Sequence, residues 1–210
     1  YADCPEKLSA GAIIKQGQTG LAGVYYLHYG WQHLVNSLRK RAEAEGVTIA
    51  QGAVNSIITD RDKVKVKGVL LSSGEQMEVS TVIAAVSPEE VIRLLKNTGE
   101  HNSKGLKQWK ERATASYASC LDIAVEQLRF PKRSFALHMD RPLYYSNHSM
   151  AAKLSDEGHQ VIHLLKYQAH TEQMDANQDR KELEAWMSML QPGWRNAVVT
   201  ERFLPKVTVT

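Results

Sequence analysis

The sequence predicts an α/β fold of the mixed α+β type, and three observations carry that reading. A helical repeat over residues 32–45 stops at Gly46 and runs straight into a short apolar stretch. Residues 54–86 alternate apolar strand-like runs with turn residues. A second amphipathic helix, over 179–190, lies among several short strands in the C-terminal half.

Residues 1–22 are poor in pattern. Gly11, Gly17 and Gly20 make this lead-in loop-like around the short apolar run Ala12–Ile14, and Val24–Leu27 beyond it reads as extended. The first helix spans about Gln32–Glu45, with Leu34, Leu38 and Ala42 at helical spacing and Val35 beside them; Gly46 occupies the usual glycine position past a helix end. Strands follow at Val47–Ala50, Val54–Thr59, Val64–Leu71 and Gln76–Val79, the last two joined by a turn at Ser72-Ser73-Gly74. Val82–Val86 is a continuous apolar run suited to a strand buried on both faces. Ser87-Pro88-Glu89-Glu90 is a helix start, with Ser87 as cap, Pro88 in the first turn and Glu90 closing a capping box; capping accounts for both acids without catalysis.

Residues 97–112 are polar and read as a crossover with a helix near Leu106–Arg112. Strands then fall at Ser119–Val125, Phe135–His138, Leu143–Ser146, Gln160–Tyr167 and Ala197–Leu204. The helix Asp179–Leu190 turns Leu183, Trp186, Met187 and Leu190 to one side, and Pro192-Gly193 ends it. The division expected is a lead-in over 1–22, one domain portion over 23–96 and a second over 97–210.

Composition narrows the function classes. The chain has 210 residues, 43% hydrophobic and 23% charged, as in ordinary globular domains. Its formal charge of +3 is mild. Arg39, Lys40 and Arg41 sit at a helix end, where cations suit the dipole, and Lys63, Lys65 and Lys67 alternate with Val64 and Val66 as the wet side of a strand; nucleic acid is not expected as a partner. Cys4 and Cys120 form no disulfide framework and no metal spacing. No run reaches the roughly 20 apolar residues of a membrane span, and a reducing, cytoplasmic setting is expected. Oligomeric state is not legible, and peripheral membrane contact stays open.

Sequence motifs for chemistry mostly fail on detail. Gly17-Gln18-Thr19-Gly20-Leu21-Ala22-Gly23 has the wrong spacing for a dinucleotide fingerprint and reads as a flexible loop. His159 and His163 are four apart, but in a strand that separation is about 13 Å, so no metal is expected. Ser146-Asn147-His148-Ser149 places a hydroxyl near an imidazole, yet adjacent residues of an extended chain point opposite ways. Tyr25, Tyr26, Tyr29 and Trp31 cluster around Gly30, either as core or as the wall of an apolar pocket.

Several segments match a known order. They are Gly23-Val24-Tyr25-Tyr26, Gly30-Trp31-Gln32-His33-Leu34, Glu45-Gly46-Val47-Thr48-Ile49, Ala53-Val54-Asn55-Ser56-Ile57, Val69-Leu70-Leu71-Ser72-Ser73-Gly74-Glu75 and Val82-Ile83-Ala84-Ala85-Val86-Ser87-Pro88. They are followed by Leu143-Tyr144-Tyr145-Ser146, Val161-Ile162-His163 and Leu190-Gln191-Pro192-Gly193-Trp194. Together these resemble the flavin amine oxidase and phytoene desaturase superfamily of FAD-dependent oxidoreductases, over most of residues 23–205. The chain departs from the family where a turn with two glycines reads Tyr29-Gly30, and where the G-x-G-x-x-G segment is absent.

The resemblance implies that this is a central fragment. Residues 23–96 would be part of an FAD-binding domain (its β-meander and helix), and 97–210 a mixed-sheet substrate domain with flanking helices. FAD is the implied cofactor of the intact protein. The implied cofactor-binding residues are Val54, through its backbone, Ala85 and Ser87. No catalytic residue is implied; Lys153 and Lys166 are the lysines nearest the expected cavity strands, and both read as surface residues. The intact protein would oxidise an apolar or amine small molecule, as phytoene dehydrogenase-like or amine oxidase-like enzymes do, with this chain inactive alone. A non-catalytic module that keeps the fold to bind an apolar ligand or a protein, and an NAD(P)-linked reductase, are the alternatives.

Overall fold

The structure is a computed structural model and describes residues 9–60, 62, 65–96, 104–112, 115–169, 171 and 173–209. The chain forms two compact units. One joins residues 1–44 to 114–210, and the other is 45–113. The expected stretch 23–96 is thus shared between them, with its first helix in the first unit and its strands and second helix in the second.

In unit 45–113, β1 (Val54–Thr59), β2 (Val66–Leu71) and β3 (Gln76–Glu78) form an antiparallel sheet in that order. Apolar alternation puts Ile57 in its small core. Gly68 is required where β2 meets β3, because a Cβ there would stand 2.5 Å from the carbonyl oxygen of Met77. Helix α3 (Pro88–Leu94) begins where its sequence predicts: the Ser87 hydroxyl accepts the Glu90 amide at 3.3 Å and Leu94 is buried, but the Glu90 carboxylate, expected to close a capping box, pairs with Arg93 instead. Helix α4 spans Lys104–Arg112, near the expected position, and Lys110 pairs with Glu89.

Two expected strands do not form. Val47–Ala50 and Val82–Val86 join no ladder among the described residues, and Ile83 is 92% exposed. An apolar run becomes a buried strand only where neighbours supply hydrogen bonds on both sides, and among the described residues neither segment has a neighbouring strand in this unit.

In the other unit, α1 (Ala10–Leu21) and α2 (Gly30–Ala44) precede a five-stranded antiparallel sheet. Its strands are β4 (Tyr117–Val125), β5 (Phe135–Leu137), β6 (Leu143–Asn147), β7 (Gln160–Gln168) and β8 (Val198–Thr208), ordered β5-β6-β7-β4-β8. The loop expected over 17–23 is instead helical to Leu21, with Gly17 and Gly20 inside α1. Glycine lowers helix propensity without forbidding the helix, and here the i, i+4 bonds outweigh a cost of about 1 kcal/mol per glycine. The amphipathic stripe of α2 is present, but neither α1 nor α2 has a fully buried residue, and Val35 and Leu38 face solvent.

Between the helices, Tyr29 adopts φ 63 and Gly30 φ 73. A left-handed Tyr is strained by roughly 1–2 kcal/mol. Its amide donates to the Lys153 carbonyl at 2.7 Å, and the His28 ring accepts the Lys153 amide at 2.9 Å, which together clamp the turn.

Helix α5 (Ala176–Leu190) covers one side of the five-stranded sheet. Asp175 caps it by accepting the amides of Asn177 and Gln178. Its Leu183, Trp186 and Met187 pack on Leu121, Ile123, Val125, Leu143, Tyr145, Ile162 and Leu164 to make the main core. Gln191, fully buried at the helix end, is held on both sides: its amide group donates to the Phe130 carbonyl and the Tyr145 hydroxyl, and its carbonyl accepts the Phe130 amide. Beneath α5, buried Asp179 receives Lys166 at 2.7 Å, together with the Ser119 hydroxyl and the Gln168 amide. Lys166, expected at the surface, instead has a side chain only 18% exposed, which also reaches Glu182. Lys153 is half exposed and pairs with Asp156.

Candidate functional site

Strand alternation gives the sheet a second side, opposite α5. Register places four polar side chains there on a single rung: Ser146 of β6 faces His163 of β7, His163 faces Asp122 of β4, and Asp122 faces Arg202 of β8. Directly opposed residues of an antiparallel pair hold their Cβ atoms about 5 Å apart, so neighbours on one rung touch.

The contacts follow. Asp122 Oδ1 lies 2.6 Å from His163 Nδ1, and Arg202 donates to Asp122 Oδ2 through Nη2 at 2.6 Å and Nε at 3.2 Å. Cys120, two residues before Asp122 and so on the same side, donates its thiol to Asp122 Oδ1 at 3.1 Å. The His148 ring stacks on His163 with centroids 4.1 Å apart. Tyr26 meets His148 edge-on at 4.9 Å, and its hydroxyl stands 3.5 Å from that of Ser146. Tyr26, from the segment before α2, is thereby fixed to the sheet, whereas Tyr25 and Trp31 of the expected aromatic cluster face solvent.

Electrostatics set the protonation states. Burial alone would raise the Asp122 carboxyl, but bonds from His163, Arg202 and Cys120 overcome it and hold the group well below the usual carboxylate range. Burial first, then the hydrogen bond to Asp122, pushes the Cys120 thiol up to about 12. Burial, then the neighbouring His163, lowers His148 to about 4. At neutral pH the cluster therefore holds a carboxylate, a guanidinium, a thiol and a neutral His148.

The residues implied for the nucleotide lie in unit 45–113. Val54 opens β1, and its carbonyl accepts Arg93 Nη2 at 3.1 Å, with Arg93 in turn held by Glu90. Ser87 caps α3 through its oxygen, which leaves its own proton to donate. Ala85 is exposed in a segment that joins no ladder among the described residues. Val54 and Ser87 are both tied to α3, since Arg93 of that helix holds the Val54 carbonyl.

The sequence does not single out Asp122 or Arg202, and it offers Cys120 and His163 only as residues without a metal-like spacing. The available signal was a charged residue inside an apolar strand, Asp122 between Leu121 and Ile123, and a histidine inside another, His163 between Ile162 and Leu164. Alone, each is ambiguous; the register that makes them partners is a tertiary fact. The pairing considered between Ser146 and His148 is not what the structure shows, since Ser146 meets Tyr26 and His148 meets His163.

No family model matches the chain. It is 30% identical over 134 residues, 63% of its length, to the 4,4'-diaponeurosporene oxygenase of Staphylococcus aureus strain USA300. It is 29% identical over 138 residues, again 63% of its length, to that of the bovine strain RF122 / ET3-1. The chain spans 26% of the length of each of these relatives. Among solved structures it resembles an oxidoreductase from Methanosarcina mazei, with TM-score 0.63 and 14% identity over 84% of this chain and 42% of that one. It also resembles reduced UDP-galactopyranose mutase, with TM-score 0.56 and 16% identity over 78% of this chain and 36% of that one. Identities this low speak for the fold. The order of motifs along the sequence, the oxygenase relatives and the shared fold together fit the FAD-dependent oxidoreductase superfamily that residues 23–205 resemble.

Proposed function

We propose that the whole protein is an FAD-dependent oxidoreductase acting on an apolar polyene of the carotenoid class. The observation that carries this reading is the similarity to 4,4'-diaponeurosporene oxygenases, enzymes named for a polyene of that class. The sheet side opposite α5 supports it. There Tyr26, Tyr144 and His148 present rings on the same side as the aliphatic side chains of Val161 and Leu165, and the rung through Asp122 supplies polar groups. Such a surface suits a long apolar chain with few polar anchor points.

The residues present fit the cofactor on the nucleotide side. The segment 80–86 joins no ladder among the described residues, Ala85 in it is exposed, and the Ser87 hydroxyl retains a donor. FAD, when bound, supplies the acceptor for two electrons from the substrate; the protein supplies orientation and exclusion of water. In this reading the Val54 backbone, Ala85 and Ser87 hold the nucleotide, and the aromatic side of the sheet aligns the polyene.

The test uses protein made from the whole natural reading frame. The absorption bands of oxidised flavin in the purified protein, bleaching anaerobically on addition of a diaponeurosporene-type polyene, are the expected result, the bleaching reporting the cofactor. Colourless protein that takes up no added FAD sinks the reading and leaves a binding module. Bound flavin that the polyene does not reduce sinks the substrate class alone.

A further inference from the structure

We propose that Cys120, Asp122 and His163 form a site for one borderline-soft divalent cation, with zinc(II) the best match to the donors. Sγ, a carboxylate oxygen and a ring nitrogen from these residues all lie within 4.8 Å of one another. Two of the three separations are 3.1 Å, from Sγ to Oδ1, and 2.6 Å, from Nδ1 to Oδ1. In a tetrahedral zinc site the bonds of roughly 2.0–2.3 Å put ligand atoms about 3.3–3.6 Å apart. Ligation therefore needs the Asp122 and His163 donors to part by about 0.7 Å and Sγ to draw back by a few tenths of an ångström, into the space the protons now hold.

Thiolate, imidazole and carboxylate on one centre favour zinc over magnesium or calcium, which take oxygen donors. The supporting shell is present too. Arg202 holds the other carboxylate oxygen, Oδ2, and leaves Oδ1 to the ion, while the His148 ring fixes the plane of His163 from 4.1 Å away. Adjacent positions on two paired strands, rather than a loop, set the spacing. Three protein donors leave a fourth position for water or a ligand oxygen.

Binding is balanced as an exchange. The Cys120 sulfur gives up its proton to solvent and forms a metal–sulfur bond. The proton shared between His163 Nδ1 and Asp122 Oδ1 leaves that pair for Nε2 of the same ring, so one proton is released per ion bound. No electron moves. The site is independent of the flavin and polyene reading, so either stands or falls alone.

The experiment is a cobalt(II) titration of tag-free, metal-free protein from the whole natural reading frame, at neutral pH, followed by zinc(II) competition. The expected result is a thiolate-to-cobalt charge-transfer band saturating at one equivalent, together with visible bands of four-coordinate intensity, all erased by zinc. Cys120→Ser should abolish the charge-transfer band. Asp122→Asn and His163→Gln should weaken binding at least about tenfold. His159→Ala, outside the cluster, should bind as the parent does. Absence of the charge-transfer band in the parent protein, or its survival in Cys120→Ser, overturns the proposal. Should a variant fail to fold, zinc-edge absorption on the parent decides: a shell containing sulfur supports the site, and a shell of nitrogen and oxygen alone overturns it.

Discussion

Asp122 and His163 are direct partners across β4 and β7, and the carboxylate oxygen stands 2.6 Å from the ring nitrogen. The same carboxylate also serves Arg202 and Cys120, so a single side chain satisfies three donors on a half-buried surface. Asp122→Ala removes the acceptor for all three. It should cost about 1–3 kcal/mol, the range for leaving polar groups unsatisfied. A lower urea midpoint with an unchanged slope is the expected observation.

Acid should act through His148. Its folded pKa of about 4 lies below the ordinary value of 6.5, because burial and His163 oppose its charge, with Asp122 pulling weakly the other way. The stability this contributes is present in full above the unfolded value and is lost as pH falls from about 6.5 to 4. The ring is only half buried and Asp122, His163 and Tyr26 face it, so the loss should be about 1–2 kcal/mol after screening. In His148→Phe the fall in urea midpoint across that window should shrink. Asp122 adds its own loss only at lower pH, because its carboxyl is held below the usual range.

Cys120 should be a slow thiol. Its value near 12 reflects burial first and the carboxylate of Asp122 second. In the metal-free protein at mildly alkaline pH, alkylation of Cys120 by iodoacetamide, followed by peptide mass, should run more than about a hundredfold slower than in denaturant. Equal rates in the two conditions would contradict the placement of the thiol.

On the other side of the sheet, Lys166→Met strands the buried Asp179 carboxylate. That should cost about 3–5 kcal/mol, read by thermal or urea unfolding. The pair replacement Lys166→Met with Asp179→Leu should recover much of it, because no uncompensated charge is then left beneath α5.

The local grammar of the chain was legible. Ser87-Pro88-Glu89-Glu90 predicts a capped helix and forms one, and Leu183, Trp186 and Met187 predict the face of α5 that is buried. The five strands of the larger sheet lie close to where apolar alternation puts them. Legibility stopped where a segment's state depends on a distant neighbour. Val82–Val86 has the composition of a buried strand yet no neighbouring strand in its unit, and Gly17 and Gly20 suggested a loop although the backbone of α1 closes its own bonds. The polar rung failed for the same reason: Asp122 and His163 are 41 positions apart, and only the strand register joins them.

The position of β4 bears on how the molecule is made. It is the second strand in from one edge, hydrogen-bonded to β7 on one side and β8 on the other, and β8 lies some 80 positions later in the chain, as Asp122 and Arg202 show. Such non-local pairing is slow, because a long loop must close before its contacts form. During synthesis, the β8-facing side of β4 therefore stays without its partner until Val198–Thr208 have left the ribosome. In that interval the exposed strand of apolar residues is open to mispairing with another nascent copy.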